Sequence, residues 1–152
     1  NEELLVANVG DSRLYVLHDG QLRQITLDHS LVEEMVRTGS MSQEMAYHHP
    51  KKLMITRAVG AEDKVDIDFF DVSLFGDEII LLCSDGLSNM VEDGRIRELL
   101  LTEESAQQRA ESLVQAANQK GGRDKDSQLP PGDGVPLQTI SPFCCDMSKK
   151  YK

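Results

Sequence analysis

The segment "LYVLHDGQLRQIT", residues 14 to 26, constrains this chain more than any other. Asp19-Gly20 is one of the few dipeptides that accept positive φ at both central positions of a type I′ turn, the turn whose twist matches a β-hairpin. Leu14 to Leu17 and Gln21 to Thr26 are therefore predicted to pair antiparallel. Leu4 to Asn8 reads as a further strand, set off by the tight "VGDSR" segment, so the start of the chain is an antiparallel meander. Both parities of "RLYVL" are apolar, which predicts a sheet covered on each side. At 152 residues and 39% hydrophobic content the chain has material for one such core.

Helical spacing begins at "SLVEEMVRTG", with Leu31, Met35 and Thr38 near one face, Ser30 as N-cap and Gly39 as the stop. Ser40 and Gln43 fit a capping box for a second short helix, ended by His49-Pro50. "KVDIDFFDV" alternates Val65, Ile67 and Phe69 against Asp66 and Asp68, predicting a strand with the first set inward. "DEIILLCSDGL" gives a strand apolar on both sides that stops at Ser84-Asp85-Gly86. Helical spacing returns over Glu92 to Leu101 and Ala106 to Asn118, with Gly121-Gly122 expected to close the second helix. After Asp124 four of the five prolines and two of the three cysteines crowd into residues 125–152, without sustained periodicity. That tail holds three acids and four lysines in a chain of net charge -10, and it reads as foreign to the domain before it.

The acidic balance disfavours a nucleic-acid partner, because neutralising phosphates needs clustered Lys or Arg and the 16 basic residues are scattered among 26 acids. Apolar runs such as Ile79 to Cys83 fall far short of the roughly 20 residues of a membrane span. Three cysteines, with Cys144 and Cys145 adjacent, form neither a disulfide framework nor a zinc pattern, so a reducing cytoplasm is expected. Cys83 reads as a core residue, and no nucleophile arrangement is evident.

Three aspartates stand where an element stops: Asp11 in "NVGDSR", Asp85 in "LLCSDGL" and Asp124 in "GGRD". A carboxylate at the end of an apolar strand is costly to bury unless a cation or donors compensate it, so each such position is solvated or coordinating. Taken singly, an aspartate in a glycine-rich turn is more often a turn former than a ligand.

The segments "VANVGDSRLYVL", "ITLDHSLV", "MITRAVG", "IILLCSDGL" and "GGRD" stand in this order, and together they resemble the metal-dependent serine/threonine protein phosphatases of the PPM, or type 2C, family, in wording closest to bacterial members. The resemblance runs from Leu4 to Asp124. It implies an α+β fold, part of a four-layer antiparallel β-sandwich flanked by helices, with two or three Mg²⁺ or Mn²⁺ ions above one end. By the matching motifs Asp85 bridges to the central metal site, Asp124 completes the second, and Asp11 binds a third, weaker ion. Residues Asp28 to Arg57 correspond to a flap that influences substrate choice. Phosphorylated proteins, with a cognate serine/threonine kinase, are the implied partners of a monomeric enzyme. Hard cations of this class take oxygen ligands. Two of them about 3.5 to 4 Å apart can activate a bridging water and neutralise phosphoryl oxygens, so no protein nucleophile is required.

His29 and the His48-His49 pair could be read as general acids, but the family's proton-donating His and phosphate-binding Arg lie upstream of this region. A surface or flap role is expected for all three. Arg57 in "ITRA" fits an ion pair or a helix end as well as it fits phosphate contact. The family's "DGMGGH"-type segment, with the aspartate bridging both catalytic metals, does not occur here. The start at "NEELLVANVG", without initiator Met or leader, reads as truncated. Residues 1–124 are accordingly expected to form the C-terminal part of a phosphatase domain, inactive alone. Residues 125–152 are expected to be a disordered or frame-shifted tail, and loss of flanking strands would expose sheet edges. A non-catalytic interaction or regulatory module of the same fold is the alternative, although such a module has no need for three carboxylates at loop ends.

Overall fold

The computed structural model describes residues 2–123 and 143–146. Two antiparallel sheets pack face to face. In the first, β1 (Glu2–Asn8) pairs with β4 (Asp68–Leu74); the second runs in the order β3 (Gln21–Gln24), β2 (Arg13–His18), β5 (Ile79–Cys83), β6 (Phe143–Asp146). The hairpin between β2 and β3 forms on Asp19 and Gly20, both at positive φ (48° and 70°), as the type I′ turn demands. Tyr15, Val16, Leu17 and His18 pair with Gln24, Arg23, Leu22 and Gln21.

The double-sided apolar reading of β2 holds. Leu14 and Val16 face the first sheet, where they meet Val6, Val72 and Leu74. Tyr15 and Leu17, with Leu81 and Cys83 from β5, face the helices α3 (Asp85–Ser88), α4 (Asp93–Leu100) and α5 (Ala106–Arg123) and pack on Leu87, Val91, Ile96, Leu100, Leu113 and Ala117. The described residues thus form three layers, helices on sheet on sheet.

The phase of β4 differs from its sequence expectation. Val72 and Leu74 are buried while Ile67 and Phe69 are exposed, so the even-numbered face points inward. The first residue on that face is Asp68, which reads as a solvent residue in the sequence but is satisfied by His29 and Arg57. The apolar even positions Val72 and Leu74 set the parity, and partners on other elements accommodate Asp68 on the same face.

Two short helices, α1 (Leu31–Arg37) and α2 (Gln43–Tyr47), form an excursion between β3 and β4. Ser30 caps α1 through Glu33 N–H as expected, though the residue α1 buries is Val32. The cap of α2 is Ser42, not Ser40, and it accepts from Met45 N–H at 3.2 Å. The Ser40 hydroxyl lies 3.1 Å from that of Thr38, and its amide closes the end of α1 by donating to the Met35 carbonyl. At the other end of the chain, Gly121-Gly122 does not stop α5, which runs to Arg123. Glycine in a helix interior costs about 1 kcal/mol but does not forbid the turn. Within residues 125–152, the described segment 143–146 adds the edge strand beside β5.

Candidate metal centre

The pairing of β2 with β5 fixes the site. Arg13 lies opposite Cys83, Leu14 opposite Leu82, and so on to Leu17 opposite Ile79. Arg13 and Cys83 are the last pair of that ladder, so Asp11 and Asp85 each stand two residues beyond the same end of β2 and β5. Asp11 sits in the turn from β1 to β2, and Asp85 opens α3 behind its N-cap Ser84. The Asp11 carboxyl is raised above its ordinary range, first by burial, then by the charge of Asp85, with Asp28 adding to it. Asp124 lies outside the described residues, so the third expected ligand is not placed.

The Arg13 guanidinium offsets the Asp11 shift only in small part, and its donors are engaged elsewhere. Arg13 Nε donates to both oxygens of Asp28 (2.9 and 3.0 Å), its Nη2 to Asp28 Oδ2 (2.7 Å), and its Nη1 to the Tyr15 hydroxyl (2.9 Å). Tyr15 in turn donates to Asp93 Oδ1 at 3.1 Å. Burial alone would lower the Arg13 pKa, but its bonds to Asp28 outweigh that and hold it above the usual arginine value. Two crowded carboxylates with their local cation occupied form a donor set suited to an added hard divalent ion.

His29 corrects an expectation. It is only 7% exposed, so the surface half of the expected surface or flap role fails, while its place at the base of the excursion keeps it in the flap segment. Its Nδ1 accepts from Gly10 N–H at 2.9 Å, and its own amide donates to the Gly10 carbonyl at 2.9 Å. An accepting Nδ1 places the ring proton on Nε2, which donates to Asp68 Oδ2 at 3.0 Å. Arg57 Nη1 donates to Asp68 Oδ1 at 2.8 Å and to the Asp66 carbonyl at 3.1 Å, so Arg57 is an ion-pairing residue. It also lies 3.0 Å from His29 Nε2, a contact between two donors that the shared carboxylate bridges. These bonds, from His29 first and then Arg57, hold the Asp68 carboxyl below the usual carboxylate range. His48 and His49 stay on the outside of the excursion, where His49 Nδ1 accepts from Lys51 N–H.

Cys83 is buried and its thiol is pushed up to about 12 by that burial, so it supplies no thiolate near neutral pH. Between the α1–α2 excursion and the body of the fold lies a cleft of about 270 Å³, lined in part by Asp28, Glu33, Tyr47, Lys52, Ser88 and Asp93. At the opposite end of β2 the described residues hold another group of potential ligands: His18, Asp19 and Asp77. There Nε2 of His18 lies 3.5 Å from Asp19 and Nδ1 3.3 Å from Asp77.

The sequence identified Asp11 and Asp85 but missed the brace around them. Asp28 and His29 stand together in "ITLDHSLV", yet their partners Arg13, Gly10 and Asp68 are distant in sequence, and no local spacing joins them.

No family model matches the chain. Curated relatives do. The serine/threonine phosphatase stp of Listeria welshimeri is 45% identical over 127 residues, covering 84% of this chain and 50% of its own length. The protein phosphatase PhpP of Streptococcus pneumoniae is 36% identical over 124 residues, covering 82% and 50%. Among solved structures, serine/threonine phosphatase Stp1 from Staphylococcus aureus superposes with a TM-score of 0.76 at 39% identity, over 80% of this chain and 48% of that one. The chain belongs to the bacterial PPM-type serine/threonine phosphatases. It spans about half the length of the relatives it matches. The catalytic domain of PstP, solved with two manganese ions, matches with a TM-score of 0.65 at 36% identity, over 80% of this chain and 50% of that one. No helix among the described residues is long and apolar enough to cross a membrane.

Proposed function

We propose that this chain is the C-terminal part of a PPM-type phosphatase that removes phosphate from serine and threonine of proteins, and that it contributes Asp11, Asp85 and Asp124 to a centre holding two or three Mn²⁺ or Mg²⁺ ions. The observation that carries the reading is that Asp11 and Asp85 lie just past the same end of the β2–β5 ladder, where the charge of Asp85 acts on Asp11, with the Arg13 guanidinium turned to Asp28. The relatives' names as phosphatases and the manganese in the PstP structure support it from outside the chain.

When bound, such ions supply an activated water and neutralise the phosphoryl oxygens. This chain's own residues do the rest. Asp11 and Asp85 offer oxygen ligands from a turn and a helix start that a four-stranded sheet holds in register. The cleft beneath the α1–α2 excursion offers Lys52, Glu33 and Tyr47 to the part of a phosphoprotein that flanks the phosphorylated residue. Its substrates in this reading are phosphorylated proteins and a cognate serine/threonine kinase, met in the cytoplasm by a monomer.

The test is Mn²⁺-dependent hydrolysis of an aryl phosphate by two proteins. The chain alone is expected to show negligible turnover. The chain joined behind the complementary half of Listeria welshimeri stp is expected to turn over, and Asp85→Asn in that fusion to abolish it. A folded fusion with no Mn²⁺-dependent turnover, or one indifferent to Asp85→Asn, contradicts the reading.

A further inference from the structure

We propose that His29 is a positioning residue for Asp11, and that through it the base of the α1–α2 excursion and the metal-binding turn behave as one piece. This rests on the reading of Asp11 as a metal ligand. Gly10 immediately precedes Asp11 and holds φ at +112°, so the orientation of the Gly10–Asp11 peptide depends on how Gly10 is held. His29 holds it from both sides, accepting from its N–H at Nδ1 and donating to its carbonyl from the backbone.

The imidazole is itself fixed in rotation, because Nε2 is tied to Asp68 and Asp68 to Arg57. A merely buried histidine would need a partner for each nitrogen and nothing more. This one spends both on an axis that starts at the turn bearing Asp11 and ends on β4.

Both ends of the excursion converge on the same axis. Ser30 bridges to Ile55, Leu31 N–H donates to the Met54 carbonyl at 2.9 Å, and Thr56 N–H donates to the His29 carbonyl at 2.8 Å. Arg57 then closes the loop onto Asp68. Displacing the excursion's base therefore pulls on the Gly10 peptide. By reciprocity, a cation at Asp11 steadies that base.

The experiment is a calorimetric Mn²⁺ titration of the full chain, with Asp11→Asn defining the component that belongs to Asp11. Asparagine at position 29 carries its amide oxygen close to where Nδ1 accepts from Gly10, whereas glutamine places its amide nitrogen near Nε2 and leaves Gly10 N–H without an acceptor. The Asp11-dependent affinity is expected to fall about 10- to 100-fold in His29→Gln, the range typical of groups that orient metal ligands, and only about threefold in His29→Asn, which keeps an acceptor for Gly10 N–H but loses the tie to Asp68. Equal losses in both variants, or none in His29→Gln, overturn the positioning role while leaving Asp11 a ligand. Binding unchanged by Asp11→Asn, or no Mn²⁺ binding at all, overturns the ligand reading and the proposal together. If His29→Gln does not fold, Asp68→Asn loosens the same axis from a half-exposed position. An Asp11-dependent affinity lowered about threefold there supports the proposal, and an unchanged one refutes it. Slower amide exchange at Thr56 on adding Mn²⁺ is the expected reciprocal effect.

Discussion

The two faces of the β3-β2-β5-β6 sheet are finished differently. Toward the helices, Tyr15, Leu81, Leu87, Ile96, Leu100 and Leu113 are all but inaccessible to solvent. Toward β1 and β4 the packing between sheets is also closed, but the covering sheet has only two described strands and an open outer face, where Leu5 is 66% and Phe69 62% exposed. The helix-backed layer therefore holds most of the buried apolar surface, and the two-stranded layer depends on it. The carboxylate pair sits where the layers join, with Asp11 in the link from β1 to β2 and Asp85 at the step from β5 to α3. A site at that seam reports on both.

The largest effect is expected from cutting the helix-backed layer. Leu81→Ala, on the strand between β2 and β6, should destabilise the chain by about 2–5 kcal/mol in denaturant unfolding, through lost transfer energy and a cavity that helices and sheet cannot both collapse into. In the layer between the sheets, Val72→Ala removes two methylene equivalents at about 0.8 kcal/mol each, and a loss near 2 kcal/mol is expected. If Val72→Ala proves the more damaging, the ranking of the two layers is wrong.

The seam should show itself through charge. Asp68 titrates lower in the folded chain than unfolded, because His29 and Arg57 favour its ionised form. Its contribution is complete above the unfolded carboxylate range and is lost as pH falls through the lower folded value. Asp68→Asn should therefore flatten the acid limb of a stability profile against pH and leave the neutral and alkaline limbs parallel to the parent. Asp11 has the opposite sign. Its raised folded value means that ionisation opposes folding, a cost absent in acid and present at neutral pH. Asp11→Asn is expected to raise the melting temperature of the metal-free chain at pH 7 by a few degrees, while removing any stabilisation by Mn²⁺. The smallest effect belongs to the open face. Phe69→Thr should change stability by no more than about 0.5 kcal/mol, and a larger loss would show that this face is covered in solution.

The sequence made the hairpin legible because Asp19-Gly20 admits few other structures, and it made Asp11 and Asp85 legible because apolar runs stop at them. Three other features were not legible there for physical reasons. The parity of β4 follows from Val72 and Leu74, buried at its far end, and Asp68 at its start takes partners 39 and 11 residues away that leave no mark on local alternation. The start of α2 moved to Ser42 because Ser40 was already engaged at the end of α1. The brace on Gly10 depends on a contact 19 residues distant, which only the folded chain brings together.

The central claim is that Asp11 and Asp85 share a cation at one end of β2 and β5, and paramagnetic broadening of backbone amides by substoichiometric Mn²⁺ tests it most directly. Amides of Gly10 to Ser12 and of Ser84 to Gly86 should broaden first and together, with both sets restored to sharpness in Asp85→Asn. Broadening that begins instead around His18, Asp19 and Asp77, or that reaches one of the two segments without the other, would contradict the account.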